Sequence, residues 1–166
     1  LDNGTDLHSF QPAVKDIMKV SSCDLLIYVG GESDQWIEDA LESAQNKDMK
    51  TINLMEVLGD TIKEEETVEG MQDSEHEHGH EDEHVWTSMR NASVICDAIA
   101  ETLEEMDPEN KEIYQTNAEN YKAKLSTLDQ KYQETVDTDR QNTLIFADRF
   151  AFRYLVDDYG LNYYAA

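Results

Sequence analysis

The chain has 166 residues, and its 39% hydrophobic content is sufficient for a folded core. Its 37 acidic against 13 basic residues give a formal net charge of −24. This charge argues firmly against nucleic acid as a partner and disfavours anionic membrane surfaces, because binding either one requires a basic patch. No run reaches the roughly 20 apolar residues needed to cross a bilayer. Cations are the natural partners of such a negative field.

The first part of the chain alternates between helical and extended patterns. A helix opened by a proline is predicted over residues 12–22, followed over 24–29 by an apolar run that ends at two glycines and is typical of a buried strand. A second helix is predicted to begin after Ser33 as its cap, and a second strand covers residues 50–54. This order predicts an α/β layer with parallel strands.

Residues 59–83 break this pattern, because glutamate, aspartate and histidine dominate them. Such a composition cannot bury enough surface to fold, so the segment is predicted to be a mobile acidic loop.

Helical periodicity returns at Asn91 and ends at Asp107-Pro108. Apolar residues at alternating spacings of four and three then predict one long helix over 109–136. At 1.5 Å per residue it would span roughly 40 Å, which suits a spine joining two lobes. A buried strand over 143–146 and a helix over 150–156 complete the order.

Two histidines lie in loops that flank the predicted strands, His8 near the start and His84 after the acidic segment. Neutral imidazole is the commonest zinc ligand in proteins, and loops at strand ends converge in the crevice of an open α/β sheet. The sequence therefore predicts a metal role for this pair. The alternative is that each is an ordinary surface or capping histidine.

The acidic segment holds three more histidines, His76, His78 and His80. Closely spaced histidines in a flexible loop can collect transition metals weakly, although a solvated acidic linker is the competing interpretation. Phosphate-binding loops, serine nucleophile elbows and His-Glu-x-x-His helices are absent from the sequence. Cys23 and Cys96 form no Cys-x-x-Cys pair and are interpreted as buried free thiols.

The order of the motifs resembles a known family, the metal-binding solute-binding proteins of ABC transporters for zinc and manganese uptake. Residues 4–12 (Gly-Thr-Asp-Leu-His-Ser-Phe-Gln-Pro) are similar to its Gly-x-Asp-Pro-His-x-Tyr/Phe-x-Pro signature, with leucine replacing the usual proline. Residues 24–31 resemble its strand and glycine turn, and 84–86 resemble its His-Val-Trp element. Residues 107–110 with the long helix resemble its interlobe spine, and 144–161 the opening of its second lobe.

This resemblance implies an α/β protein of two lobes. Residues 1–106 would form the N-terminal metal-binding lobe, 107–137 the interlobe helix, and 138–166 the start of a C-terminal lobe. A strand–helix–strand before residue 1 and most of the second lobe after residue 166 would be missing. The family also implies a location outside the cytoplasm, in the periplasm or lipid-anchored at the cell surface.

The resemblance also implies a ligand set. His8 and His84 match the family's first two metal-binding histidines. The third ligand is usually a histidine near the start of the second lobe, where this chain has Phe-Ala-Asp-Arg-Phe over 146–150. Asp148 is the nearest residue able to replace it, and a carboxylate would favour harder ions such as manganese over zinc. A fourth ligand, a carboxylate, would lie after residue 166.

The expected function is thus to capture a transition metal and deliver it to a membrane permease, without enzymatic activity. Binding should weaken below about pH 6.5, because only neutral imidazole ligates metal. Deleting residues 73–83 should leave binding largely intact. Two other functions stay open. One is an adhesin or interaction module with a structural metal, and the other is a metal-dependent hydrolase, for which no motif supplies a general base.

Overall fold

The computed structural model describes residues 10–66, 80–138, 142–147 and 150–165. The chain divides into two compact units, Leu1–Val57 and Leu58–Ala166. Among the helices of the described residues, none combines the length and the apolar character that crossing a membrane requires.

The first unit contains one pair of parallel strands and the helices that connect and flank it. Its elements are α1 (Val14–Ser22), β1 (Leu25–Tyr28), α2 (Gln35–Glu42), β2 (Lys50–Asn53) and α3 (Leu54–Leu58), the last of which ends at the first residue of the second unit. Strands β1 and β2 pair in parallel from Leu25 opposite Lys50 to Tyr28 opposite Asn53. The parallel α/β arrangement predicted for this region is therefore confirmed.

The starts of the first two helices differ slightly from their predicted positions. Helix α1 begins at Val14 instead of Pro12, and the Ala13 amide donates to the Asp16 carboxylate at 3.0 Å. Ser33, the predicted cap of α2, lies inside a 3-10 turn, and the residue that precedes α2 is Asp34. The Asp34 carboxylate instead accepts from the amides of Val29 and Gly30, which directly follow β1, at 2.9 and 3.1 Å. It thus ties the helix to the strand.

Gly30, shortly after β1, has a backbone conformation that residues with a side chain rarely adopt. Its φ is +94°, and a Cβ built there would lie 2.5 Å from Oδ1 of Asn53. That oxygen accepts from the amides of Met55 and Glu56 at 3.0 and 3.3 Å, and so caps α3. Any side chain at position 30 would therefore displace the Asn53 side chain that caps α3.

Replacing Gly30 by alanine is expected to lower the free energy of unfolding by about 3 kcal/mol, because backbone strain adds to the clash with Asn53. Gly59→Ala is the matched control, since φ there is also positive (+49°) but a Cβ would contact nothing within 4 Å. It should cost only about 1 kcal/mol. Urea denaturation measures both variants, and equal losses would contradict the role of Asn53.

The second unit contains the long helix and a second pair of parallel strands. Its elements are α4 (Met89–Met106), α5 (Lys111–Thr138), β3 (Thr143–Phe146), α6 (Arg153–Asp158) and β4 (Asn162–Ala165). Strands β3 and β4 pair in parallel from Thr143 opposite Asn162 to Phe146 opposite Ala165. The α/β class and the long helix are confirmed, and α5 extends two residues beyond its predicted end.

Helices α4 and α5 pack along each other. Buried residues from both helices include Ile95, Ala118 and Leu125. The Ser88 hydroxyl caps α4 by accepting from the Asn91 amide at 3.1 Å. Three further residues of the predicted apolar stripe of α5, Tyr121, Leu128 and Tyr132, remain exposed. The helix therefore buries only part of that stripe.

Strand β3 was predicted to be buried, and this prediction is wrong. Leu144 is 39% exposed and Ile145 is 80% exposed. Within the described residues, β3 belongs to a sheet of only two strands. A sheet this narrow leaves part of an apolar strand in solvent, so an apolar run alone does not establish burial.

The acidic segment 59–83 was predicted to be a mobile loop that buries nothing, and for its two described ends this is wrong. Residues Gly59–Thr61 form a 3-10 turn, and Glu64 forms an antiparallel bridge with Glu81. Asp82 is only 3% exposed. These ends are ordered by backbone hydrogen bonds, although their composition offers little apolar surface to bury.

The lobe limits predicted after residues 106 and 137 lie close to the ends of α4 and α5, but the division into lobes remains a prediction.

Candidate metal centre

The structure describes two of the six residues predicted to bind metal, His84 and His80. The other four lie outside the described residues: His8, His76, His78 and Asp148. Within the described part of the chain, no three His, Cys, Asp or Glu side chains are grouped so that they could hold an ion. The candidate centre is therefore built from His84 and its surroundings.

A short antiparallel pairing of residues 63–65 with residues 80–82 lies just before His84 in the chain. The Glu65 amide donates to the His80 carbonyl at 2.7 Å, and the Asp82 amide donates to the Lys63 carbonyl at 2.8 Å. Between these two bonds lies the bridge of Glu64 with Glu81. Residues 63–65 thus hold the strand-like segment 80–82, and His84 follows it two residues later.

His84 is bound twice by the carboxylate of Asp82. The backbone amide of His84 donates to Oδ1 of Asp82 at 2.8 Å, and the ring Nδ1 lies 3.0 Å from the same oxygen. Both residues are buried, with 9% of His84 and 3% of Asp82 exposed. Two contacts to one buried oxygen fix both the backbone and the ring of His84.

This contact determines what the imidazole can do chemically. A carboxylate only accepts hydrogen bonds, so the proton of the neutral ring lies on Nδ1, and Nε2 is the unprotonated nitrogen, the one with the chemistry of a metal ligand. Metal-binding histidines typically donate their other nitrogen to a carboxylate in this way. The hydrogen bond that His84 donates to Asp82 also raises the pKa of His84, and burial opposes this effect by lowering it. The pair therefore has the chemistry of a metal ligand and its supporting carboxylate.

The residues after His84 hold it from the other side. The amide and hydroxyl of Thr87 both donate to the His84 carbonyl, at 3.0 and 2.8 Å. Val85 between them is fully buried, and the Trp86 ring centroid lies 5.7 Å from that of the imidazole. The histidine thus lies between two ordered segments, which is the rigidity that a preorganised ligand needs.

Asp82 was missed from the sequence, where it was one of many carboxylates in the acidic segment. Its position two residues before His84 was the available signal, since a side chain at that spacing can accept from the amide of the residue two positions on. The predicted histidine His80 contributes its backbone carbonyl to the pairing described above.

The α/β fold with parallel strand pairs and a 28-residue helix is the architecture that the resemblance to metal-binding solute-binding proteins of ABC transporters implied. The chain belongs to the family described as ZnuA, zinc-uptake complex component A periplasmic, whose profile matches residues 1–166. The resemblance found in the sequence is thereby confirmed.

Relatives with known structures and names support the same placement. The zinc-binding protein AdcA of Streptococcus pyogenes is 30% identical over 169 residues, covering 96% of this chain and 33% of AdcA. The metal ABC transporter substrate-binding lipoprotein ScbA of Streptococcus cristatus is 30% identical over 163 residues, covering 95% and 50%. The crystal structure of Zn(II)-bound AdcA from Streptococcus pneumoniae superposes with a TM-score of 0.78 at 28% identity, covering 100% and 33%.

The chain spans a third to a half of the length of these relatives.

Proposed function

We propose that this chain is part of an extracytoplasmic solute-binding protein that captures zinc and delivers it to the permease of an ABC transporter. The zinc-uptake family and the zinc-binding names of the AdcA relatives support the choice of metal. The family's periplasmic description and the lipoprotein ScbA support a location outside the cytoplasm, free in the periplasm or anchored at the cell surface. The net charge of −24 suits a protein that attracts cations.

The single observation that carries the proposal is the contact of the buried Asp82 carboxylate with Nδ1 of His84. It leaves Nε2 as the ligating atom. We propose that His8 and Asp148 complete the near side of the same site, and that the remaining carboxylate ligand comes from elsewhere in the full-length protein. Zinc is the preferred metal, and manganese is the alternative that a carboxylate at position 148 would favour.

The remaining assignments follow from the same family relationship. We propose that residues 1–106 form the metal-binding lobe, 107–137 the interlobe helix and 138–166 the start of the second lobe. The auxiliary histidines His76, His78 and His80 would collect metal weakly and feed the site. The family consists of transport components and not enzymes, which disfavours the hydrolase alternative.

Calorimetric titration of the full-length protein with zinc and with manganese at neutral pH tests this function. One tight site for zinc is expected, and no binding of either metal would reject the proposal. The adhesin alternative predicts a structural ion that leaves only when the protein unfolds. A transported ion should instead exchange with added ⁶⁷Zn while the circular dichroism of the fold stays unchanged.

Zinc affinity is expected to decrease as the pH is lowered, and the decrease should begin at a higher pH than it would for a histidine with an ordinary pKa. The hydrogen bond to Asp82 raises the pKa of His84 above its ordinary value of 6.5. A raised pKa means that protons already occupy Nε2 at pH values where a free imidazole is neutral, so protons displace zinc sooner. Chelator competition from about pH 8 to about pH 5.5 measures this. An onset at or below 6.5 would contradict the effect of Asp82.

A further inference from the structure

We propose that Tyr154 is a positioning residue of the metal centre, acting through Asp82 on His84. This inference rests on the proposed zinc site at His84. It adds a residue 70 positions further along the chain, on helix α6, outside the histidine motifs at residues 4–12 and 84–86.

The Tyr154 hydroxyl lies between two paired backbone segments, bonded to Lys63 in one and to Asp82 in the other. It donates to the Asp82 carbonyl at 2.7 Å and accepts from the Lys63 amide at 3.1 Å. The Asp82 amide bonds directly to the Lys63 carbonyl at 2.8 Å. In a regular antiparallel pair, both hydrogen bonds of such residues would be direct. Here one is direct and the other passes through the tyrosine oxygen.

This insertion sets where Asp82 lies. A hydroxyl between the Lys63 amide and the Asp82 carbonyl keeps these two groups further apart than a direct bond would. The Asp82 carbonyl and carboxylate belong to the same residue, so the hydroxyl also fixes the direction from which Oδ1 meets His84. Tyr154 is 2% exposed and burial raises its pKa, so the hydroxyl keeps its proton as a donor.

The segment opposite Asp82 is itself attached to α6, which makes the hydroxyl a fixed point. Lys63 forms an ion pair with Asp157 at 2.5 Å, and Glu66 forms one with Arg153 at 3.4 Å. Residues 63–66 and helix α6 therefore provide a frame against which Tyr154 holds the residue that orients His84.

Tyr154→Phe in the full-length protein tests the proposal, because it removes only the oxygen. Without it the Lys63 amide and the Asp82 carbonyl either close into a direct bond or lose their partner, and Oδ1 moves relative to Nδ1. Zinc affinity should weaken about tenfold, the lower end of the range for groups that orient metal ligands. In the zinc-free protein at about pH 8.5, long-range ¹H–¹⁵N spectra should show His84 changing from the Nδ1-protonated tautomer to a mixture.

Tyr159→Phe is the matched control. Tyr159 immediately follows the same helix, is buried, and donates its hydroxyl to Asp129 on α5 at 2.9 Å. Its loss should destabilise the fold but leave the His84 tautomer unchanged and zinc affinity within about twofold, the scatter of a change far from the site. If both variants alter the tautomer and the affinity equally, the effect is general destabilisation and the proposal is wrong.

A measurement on the unmutated protein covers the case in which Tyr154→Phe fails to fold. If the hydroxyl supports the zinc site, zinc must in turn support the hydroxyl contacts, because coupling is reciprocal. Hydrogen exchange of the Lys63 amide should then slow about tenfold on zinc binding, and an unchanged rate would overturn the proposal. Failure of the wild type to bind zinc would reject the proposed function instead, and the zinc-free tautomer comparison would still decide the role of Tyr154.

Discussion

Replacing His84 by alanine in the full-length protein is expected to weaken zinc binding by two to three orders of magnitude. Structural zinc sites with four ligands bind with about 10–16 kcal/mol, which corresponds to about 2.5–4 kcal/mol for each ligand. Every 1.4 kcal/mol changes affinity about tenfold. His84 is buried and its backbone and ring are both held by Asp82, so the variant removes a ligand that is already fixed in place. Competition with a chelator of known zinc affinity gives the change.

His80→Ala is the control for this variant. His80 lies four residues earlier, and the interaction described for it in the pairing uses its carbonyl, which alanine retains. Its replacement should change zinc affinity less than about threefold, as for a surface substitution. Equal losses in the two variants would show that the histidines act as one diffuse cluster, against the site proposed here.

The loop deletion is a second control, but its limits must change. Removing residues 73–83 would also remove Asp82, whose carboxylate holds His84. A deletion of 73–79 spares both Asp82 and the bridge of Glu64 with Glu81. This shorter deletion is expected to leave high-affinity zinc binding intact. If high-affinity binding were lost, a main ligand would have to lie inside the deleted segment.

The helices and the strand pairs could be predicted because their signal is local. The four-and-three spacing along α5 and the apolar runs of β1 and β3 are visible in short windows of sequence. Exposure could not be predicted in the same way. Ile145 is as apolar as a core residue and yet 80% exposed, because burial depends on which other elements cover the sheet.

The candidate site was predictable only in part, for a related reason. His84 was identified by its residue type and its position in a motif. Asp82 looked like any other carboxylate of an acidic segment, and Tyr154 like any other aromatic residue of an amphipathic helix. Their roles arise from the pairing of 63–65 with 80–82, which rests on backbone hydrogen bonds and has no apolar alternation that would reveal it.

Asp82→Ala should produce the second largest loss, a 10- to 100-fold weaker zinc affinity near pH 8, as found for carboxylates that support metal-binding histidines. The ring loses the acceptor that keeps its proton on Nδ1, and part of the neutral population then carries the proton on Nε2. Asp82→Asn keeps an oxygen that can accept from Nδ1, so it should recover part of the affinity.

Glu81→Ala separates this effect from the loss of one negative charge. Glu81 is adjacent and exposed, so its replacement changes the net charge equally without touching the ring. Its affinity should stay within about threefold of wild type. The pH dependence sharpens the distinction, because the Asp82 carboxylate also raises the pKa of His84. Without it protons compete less, so the gap between Asp82→Ala and wild type should narrow as the pH falls toward 6. A gap that stays constant or widens on acidification would mean that Asp82 supports the fold of the segment and not the ligating state of His84.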